Sequence, residues 1–140
     1  MKKYSILLVE DDEIDIIAIK KSFDKIGIDN DLHVVNNGED AIEWLDNNAN
    51  IYPIVILLDI NMPKMNGLEF AEELRKKPEK SKTPIVILTT SKNNDDRKTA
   101  YELNIAGYIL KPISNEEFVN VINSINNYWS MCEFPERDDK

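Results

Sequence analysis

The chain has 140 residues, 42% of them hydrophobic and 31% charged, with a formal net charge of −9. That length suits one domain and not two, so much negative charge repels phosphate backbones and acidic membrane surfaces, and the single Cys132 cannot close an internal disulfide. No apolar run approaches the roughly 18 residues of a membrane span, and the apolar stretch Ile6–Val9 near the N-terminus is too short for a secretory signal, so a cytoplasmic chain with no nucleic-acid or membrane partner is expected.

The first strand is predicted over Ile6–Val9 and ends in Glu10-Asp11-Asp12. A helix follows from Glu13 to Ile26 and stops at Gly27. Ile16, Ile19, Phe23 and Ile26 share one face of it; Ile14, Ile17 and Ala18 lie off that face and form either a docking surface or a face covered by neighbouring helices. Leu32–Val35 is the second strand, with His33 inside it as a structural residue. The second helix follows Gly38 and carries Ala41, Ile42 and Leu45. Ile54–Leu58 is the third strand, five apolar residues ending on Asp59. The third helix follows Gly67, carries Leu68, Phe70, Ala71 and Leu74, and ends before Pro78.

Ile85–Leu88 is the fourth strand, followed by Thr89-Thr90-Ser91 and a helix from Asp95 to Asn104. Tyr108–Leu110 is the fifth, followed by Lys111-Pro112. The last helix begins at Ser114-Asn115-Glu116-Glu117, which matches a capping box, and Phe118, Val121, Ile122 and Ile125 form its buried stripe. The apolar character continues through Tyr128-Trp129 to Phe134-Pro135, aromatics that either pair two chains into a homodimer or fold back on their own domain; Glu136 to Lys140 read as a frayed end. Short apolar runs without alternation, interleaved with helices, argue for parallel strands buried on both faces in an α/β fold.

In such a sheet the carboxyl ends of the strands meet at one edge, where ligands bind. Glu10, Asp11, Asp59, Thr89 and Lys111 all fall there. Carboxylates ~5 Å apart repel by ~3 kcal/mol at an effective dielectric near 20. Lys111 relieves part of this, and a hard divalent cation bound by oxygen atoms, for which Mg²⁺ is suited, relieves more. A carboxylate beside such charges is a candidate nucleophile toward phosphorus, and Thr89 can donate a hydrogen bond to the same group. Acids after a strand also simply favour the next helix N-terminus. Asp12 and Glu13 read that way first, Glu10 and Asp11 fit either role, and Asp59 fits a capping role poorly.

The stretches ILLVEDD, VILLDINMPKMNGLEF, PIVILTTS and AGYILKP together resemble the receiver domain of two-component response regulators, over about residues 4–128. The resemblance implies a doubly wound, flavodoxin-like five-stranded parallel sheet of order 2-1-3-4-5 with five helices, a receiver domain over residues 1–130 and a tail over 131–140. It implies that Asp59 accepts a phosphoryl group from a histidine kinase or histidine phosphotransfer domain. Asp11, Asp59 and the Asn61 carbonyl would bind Mg²⁺, Glu10 acting through a water. Thr89 and Tyr108 would be the switch pair, and Lys111 would meet a phosphoryl oxygen, its bond to Pro112 cis. Asn61 and Ser91 would tune the lifetime. Glu10 stands where Asp is usual, and Thr90 where a smaller residue is common.

VEDDEIDIIAI, LTTS and INNYWSMCEFP are most like stand-alone receivers that partner phytochrome-type sensor kinases. The chain is thus expected to be a signalling domain that phosphorylates and dephosphorylates itself and passes its signal to a downstream protein, since no output domain is expected after Trp129. A Mg²⁺-dependent phosphatase or phosphotransferase with an aspartyl-phosphate intermediate is the alternative, but Asn61 stands where such hydrolases of the haloacid dehalogenase type need a second Asp. A flavin or dinucleotide binder would need a phosphate loop where Glu10-Asp11-Asp12 stands.

Overall fold

A computed structural model describes residues 4–136. The expected frayed end therefore lies, apart from Glu136, outside the described residues. Five strands alternate with five helices: β1 Ser5–Val9, α1 Glu13–Ile26, β2 Leu32–Val35, α2 Gly38–Asn47, β3 Ile54–Leu58, α3 Gly67–Arg75, β4 Ile85–Thr89, α4 Asn94–Glu102, β5 Gly107–Leu110 and α5 Asn115–Met131. All pairings are parallel and the order is β2-β1-β3-β4-β5.

Register sets the functional edge. Val9 lies opposite Leu58, so Glu10 and Asp59 leave adjacent strands at the same level. Thr89 lies opposite Leu110, so Lys111 leaves β5 beside the end of β4. Alternate residues along each strand feed two cores. Leu7, Val9, Ile56, Leu58, Ile85 and Ile87 pack with Phe70 and Leu74 of α3 and Leu45 of α2. Ile6, Leu8, Val55 and Leu57 pack with Ile19 and Phe23 of α1 and Ile122 and Trp129 of α5. Central β3 and β4 are buried along their whole length, whereas the edge strands β2 and β5 are not, in keeping with their neighbours on one side only.

The helix ends follow from local chemistry. The Asp12 carboxylate caps α1 by accepting from Ile14 N at 2.9 Å and Asp15 N at 3.2 Å. Gly27, at φ 84°, closes the helix by donating to Phe23 O at 3.0 Å. The reciprocal capping box is at α3, between Asn66 and Glu69. At α5, where the sequence pattern predicts one, the Ser114 hydroxyl accepts from Glu117 N at 3.2 Å but donates to the Glu117 carboxylate at 3.1 Å, so that carboxylate does not reach back to the backbone. Helix α4 starts one residue before the expected Asp95, because Asn93 caps it, and ends at Glu102, where Asn104 turns to φ 58°.

Two further expectations are corrected, and one open alternative is decided. Ala18 is buried with the core face of α1, being small enough to sit under its neighbours, while Ile14 and Ile17 stay exposed. The cis X–Pro bond among the described residues is Tyr52–Pro53, not Lys111–Pro112; Lys111 is held instead by its own N–H on Thr89 O at 2.8 Å and by its ammonium. Trp129 is buried and folds back, stacked with Phe134 at 6.2 Å, while Tyr128 stays exposed. His33 packs against Trp44 at 4.8 Å in the β2–α2 layer.

Arg75 at the end of α3 holds the far rim together. Its guanidinium donates to Leu103 O at 2.7 Å, Ser81 O at 3.0 Å, Thr83 O at 2.8 Å and Asn104 O at 3.1 Å. These carbonyls come from the α3–β4 loop and the end of α4, and burial pulls the pKa of the group below its usual value. Arg75→Ala is expected to cost about 3 kcal/mol, since a single charged hydrogen bond contributes about 1.5–3 kcal/mol net and the set is not additive. A fall in the urea midpoint at unchanged slope checks this, and Arg75→Lys, which lacks the planar fork, is expected to recover little.

Candidate functional site

The carboxyl rim gathers four acids around one base. Glu10, Asp11 and Asp59 each place a carboxylate oxygen within 4.8 Å of the other two. Glu10 and Asp59 are buried, at 1% and 5% exposure, while Asp11 faces solvent. The Lys111 ammonium reaches Glu10 Oε1 at 2.8 Å, Asp15 Oδ2 at 2.7 Å and Asp59 Oδ2 at 3.4 Å. The Glu10 and Asp59 carboxylates are also held from their own strand ends: Asp12 N donates to Glu10 Oε2 at 3.2 Å, and Ile60 N donates to Asp59 Oδ1 at 2.8 Å. The longer Glu10 side chain thus spans from the start of α1 to Lys111.

Electrostatics follow from the imbalance. Burial pushes the Glu10 carboxyl up to about 7, the Asp59 charge adds to this, and the hydrogen bond from Lys111 opposes it. Burial alone would lower the pKa of Lys111, but the hydrogen bonds to Asp15 and Glu10 and the nearby charges raise it, so it stays an ammonium. The cluster is left negative, and the atoms it offers to a cation are carboxylate oxygens. An all-oxygen, uncompensated set of this kind fits a hard divalent cation. In the folded, metal-free chain Glu10 holds its proton between about pH 4.5 and 7, where the unfolded chain has lost it, so this group's contribution to stability falls as pH rises through that window. A carboxylate must be ionised to favour a bound cation. The melting-temperature gain from a millimolar divalent cation is therefore expected to widen from pH 5 to pH 8; melts with and without EDTA check it.

The other candidates sit around the β4 end. Thr89 is fully buried and its hydroxyl oxygen accepts from Ser91 N at 3.3 Å. The Tyr108 hydroxyl donates to Ser91 O at 3.0 Å. Ser91 is not free at its side chain: its hydroxyl donates to Asp96 Oδ2 at 2.7 Å. Asn61 is exposed two residues beyond Asp59. The fold therefore brings Glu10, Asp11, Asp59 and Lys111 into one cluster, joins Thr89, Ser91 and Tyr108 into a second adjoining network, and leaves Asn61 exposed on the segment after β3.

Sequence reasoning missed three participants. Asp15 touches Lys111, Asp96 holds Ser91, and the Arg97 guanidinium lies 5.6 Å from the centre of the Tyr108 ring. Asp15 stands in the first turn of α1, where an acid reads simply as a partner for the helix dipole. Asp96 and Arg97 carried no signal beyond ordinary α4 polarity.

A family profile described as the response regulator receiver domain matches residues 6–123. Response regulator Rcp1 of Synechocystis sp. is 32% identical over 128 residues, covering 89% of this chain and 87% of the relative. A probable methanogenesis regulatory protein, FilR2 of Methanothrix harundinacea, is 30% identical over 129 residues, 90% of this chain and 83% of the relative. Among solved structures, the Mn²⁺-bound form of Rcp1 aligns with a TM-score of 0.83 at 31% identity, over 96% of this chain and 100% of that one. The phosphorylated cyanobacterial phytochrome response regulator RcpA aligns at 0.85 and 28%, over 95% and 99%. The hydrolase alternative is not favoured by these likenesses. With an acid-lined rim on a sheet of order 2-1-3-4-5, and a family match over most of its length, the chain belongs to the response regulator receiver domains and is a phosphoacceptor switch.

Proposed function

We propose that Asp59 is the phosphoacceptor and that Mg²⁺ is the ion the rim takes, held by Asp11, Asp59 and the Asn61 carbonyl with Glu10 behind them. What supports the reading is one observation: a buried carboxylate at the end of β3, within 4.8 Å of two others and 3.4 Å from a buried ammonium. When bound, the ion supplies positive charge that lets the carboxylates coexist and offsets the charge of the transferred group.

An Asp59 oxygen attacks phosphorus, the N–P bond of a kinase phosphohistidine breaks, and the imidazole leaves. Lys111 takes a phosphoryl oxygen as Asp59 Oδ2 ceases to be a free carboxylate oxygen. Thr89 keeps its proton for the same group, because toward Ser91 N it acts only as acceptor. Tyr108 is the second switch residue, responding through the Ser91 carbonyl it already holds. Asn61 and Ser91 tune hydrolysis, and the domain both loads and unloads itself without turning over a separate substrate. The phosphorylated form is selected from a pre-existing equilibrium.

The donor is a sensor histidine kinase or phosphotransfer domain in the cytoplasm, of phytochrome type. Exposed Ile14, Ile17 and Ile113 near the rim offer it an apolar landing. The readout is a protein target, or a second copy of the chain, at the face of α4, β5 and α5, and nucleic acid is not a partner. Acetyl phosphate with Mg²⁺ is expected to leave an acid-stable, base-labile adduct that EDTA prevents. A folded protein that stays unmodified under these conditions contradicts the reading.

A further inference from the structure

The Lys111 ammonium has three hydrogens and three carboxylate partners, so none is left over. The tightest partner is Asp15 at 2.7 Å and the loosest is Asp59 at 3.4 Å. Asp15 does not come from a strand end. It sits in the first turn of α1, fixed there by the Asp12 cap on its own N–H at 3.2 Å, and its side chain leans back toward the rim, as helix geometry directs. Its carboxylate is only 21% exposed, so the pairing is shielded, and Lys111 is 5% exposed and has little room to find other partners.

We infer that Asp15 is a positioning residue that competes with Asp59, and with the phosphoryl group Asp59 carries, for the Lys111 ammonium. This rests on the reading of Asp59 and Lys111 given above. Asp15 draws Lys111 toward α1 and adds a fourth negative charge to a pocket that must admit an anion. Both effects hold phosphoryl capture below what the remaining rim could reach. The resting site is thereby biased toward the unmodified state by a residue that touches neither the phosphorus nor the attacking oxygen.

Asp15→Asn keeps the side-chain shape and removes the competing charge. In the presence of saturating Mg²⁺, its affinity for beryllofluoride, followed by ¹⁹F NMR, is expected to rise about tenfold, the low end of what charge in a confined cleft does to the local concentration of an ion. Glu13→Gln removes the same formal charge from the solvent side of the turn and is expected to change little. In a Lys111→Gln background, Asp15→Asn is expected to keep the part of its effect that comes from removing a negative charge and to lose the part that runs through the ammonium, which a purely structural role would not do. In crystals of the metal-free variant, the Lys111 Nζ to Asp59 Oδ2 separation is expected to close from 3.4 Å to ordinary ion-pair contact. Unchanged or weaker beryllofluoride binding by a folded Asp15→Asn protein, while wild type binds, overturns this inference alone. If Asp15→Asn does not fold, Asp15→Ser gives the same comparison. Wild type that binds no beryllofluoride overturns the reading of the site as well.

Discussion

Asp59→Asn is expected to abolish phosphoryl capture from acetyl phosphate while leaving the fold intact. An amide oxygen is a poor nucleophile toward phosphorus. The variant keeps the shape of the residue and its acceptance from Ile60 N. It loses the 3.4 Å pairing with Lys111, but Lys111 retains Glu10 and Asp15 at 2.8 and 2.7 Å. It also removes one charge from a group of carboxylates whose pairwise repulsion is ~3 kcal/mol at ~5 Å and an effective dielectric near 20. The metal-free variant is therefore expected to melt above the metal-free wild type and to gain less from Mg²⁺. Gel retardation of the acyl phosphate and paired thermal melts check the two halves separately. A variant that still accepts phosphoryl, or that melts lower in EDTA and gains as much from Mg²⁺, contradicts the assignment of the charge cluster.

Gly67→Ala is expected to damage both stability and the site. A Cβ at Gly67 would overlap the Asp59 carbonyl oxygen and lie 2.9 Å from Ile60 Cα. Both obstacles are backbone, so no rotamer change relieves them. The Gly67 N–H also donates to Ile60 O at 2.9 Å, which fixes the start of α3 against the segment leaving β3. A cost of about 3 kcal/mol, the upper part of the usual overpacking range, is expected in urea unfolding. Because the atoms that must shift are those of Asp59 and Ile60, the phosphorylation rate of the remaining folded protein is expected to fall too. Gly107→Ala, where an added Cβ meets nothing within 4 Å, is the matched control and is expected to be near neutral. Equal effects at the two positions would show that close approach at Gly67 is not what matters.

The strands were legible because apolar runs in a parallel sheet stand out against helical periods, and Ile54–Leu58 ending on Asp59 matched β3 residue for residue. The gathering of Glu10, Asp11, Asp59 and Lys111 was legible from topology, since parallel strands share one carboxyl rim. Three-dimensional pairing was not. Asp15 meets Lys111 across 96 positions, and nothing in local pattern marks an acid in the first turn of a helix as anything but a favourable partner for its dipole. Arg75 was invisible for a related reason, because its acceptors are main-chain carbonyls, which carry no sequence signature. The capping box at Asn66–Glu69 was overlooked because Asn is a weaker cue for that motif than the Ser114–Glu117 pair, which has the sequence but not the full geometry.

Borohydride reduction of the phosphorylated chain, followed by peptide mass spectrometry, tests the central claim most directly, because it converts an aspartyl phosphate to homoserine where it stands. Homoserine at position 59 alone, formed only when Mg²⁺ is present, is the predicted result. Homoserine at position 11 or 15, or phosphorylation that proceeds equally well in EDTA, would contradict it.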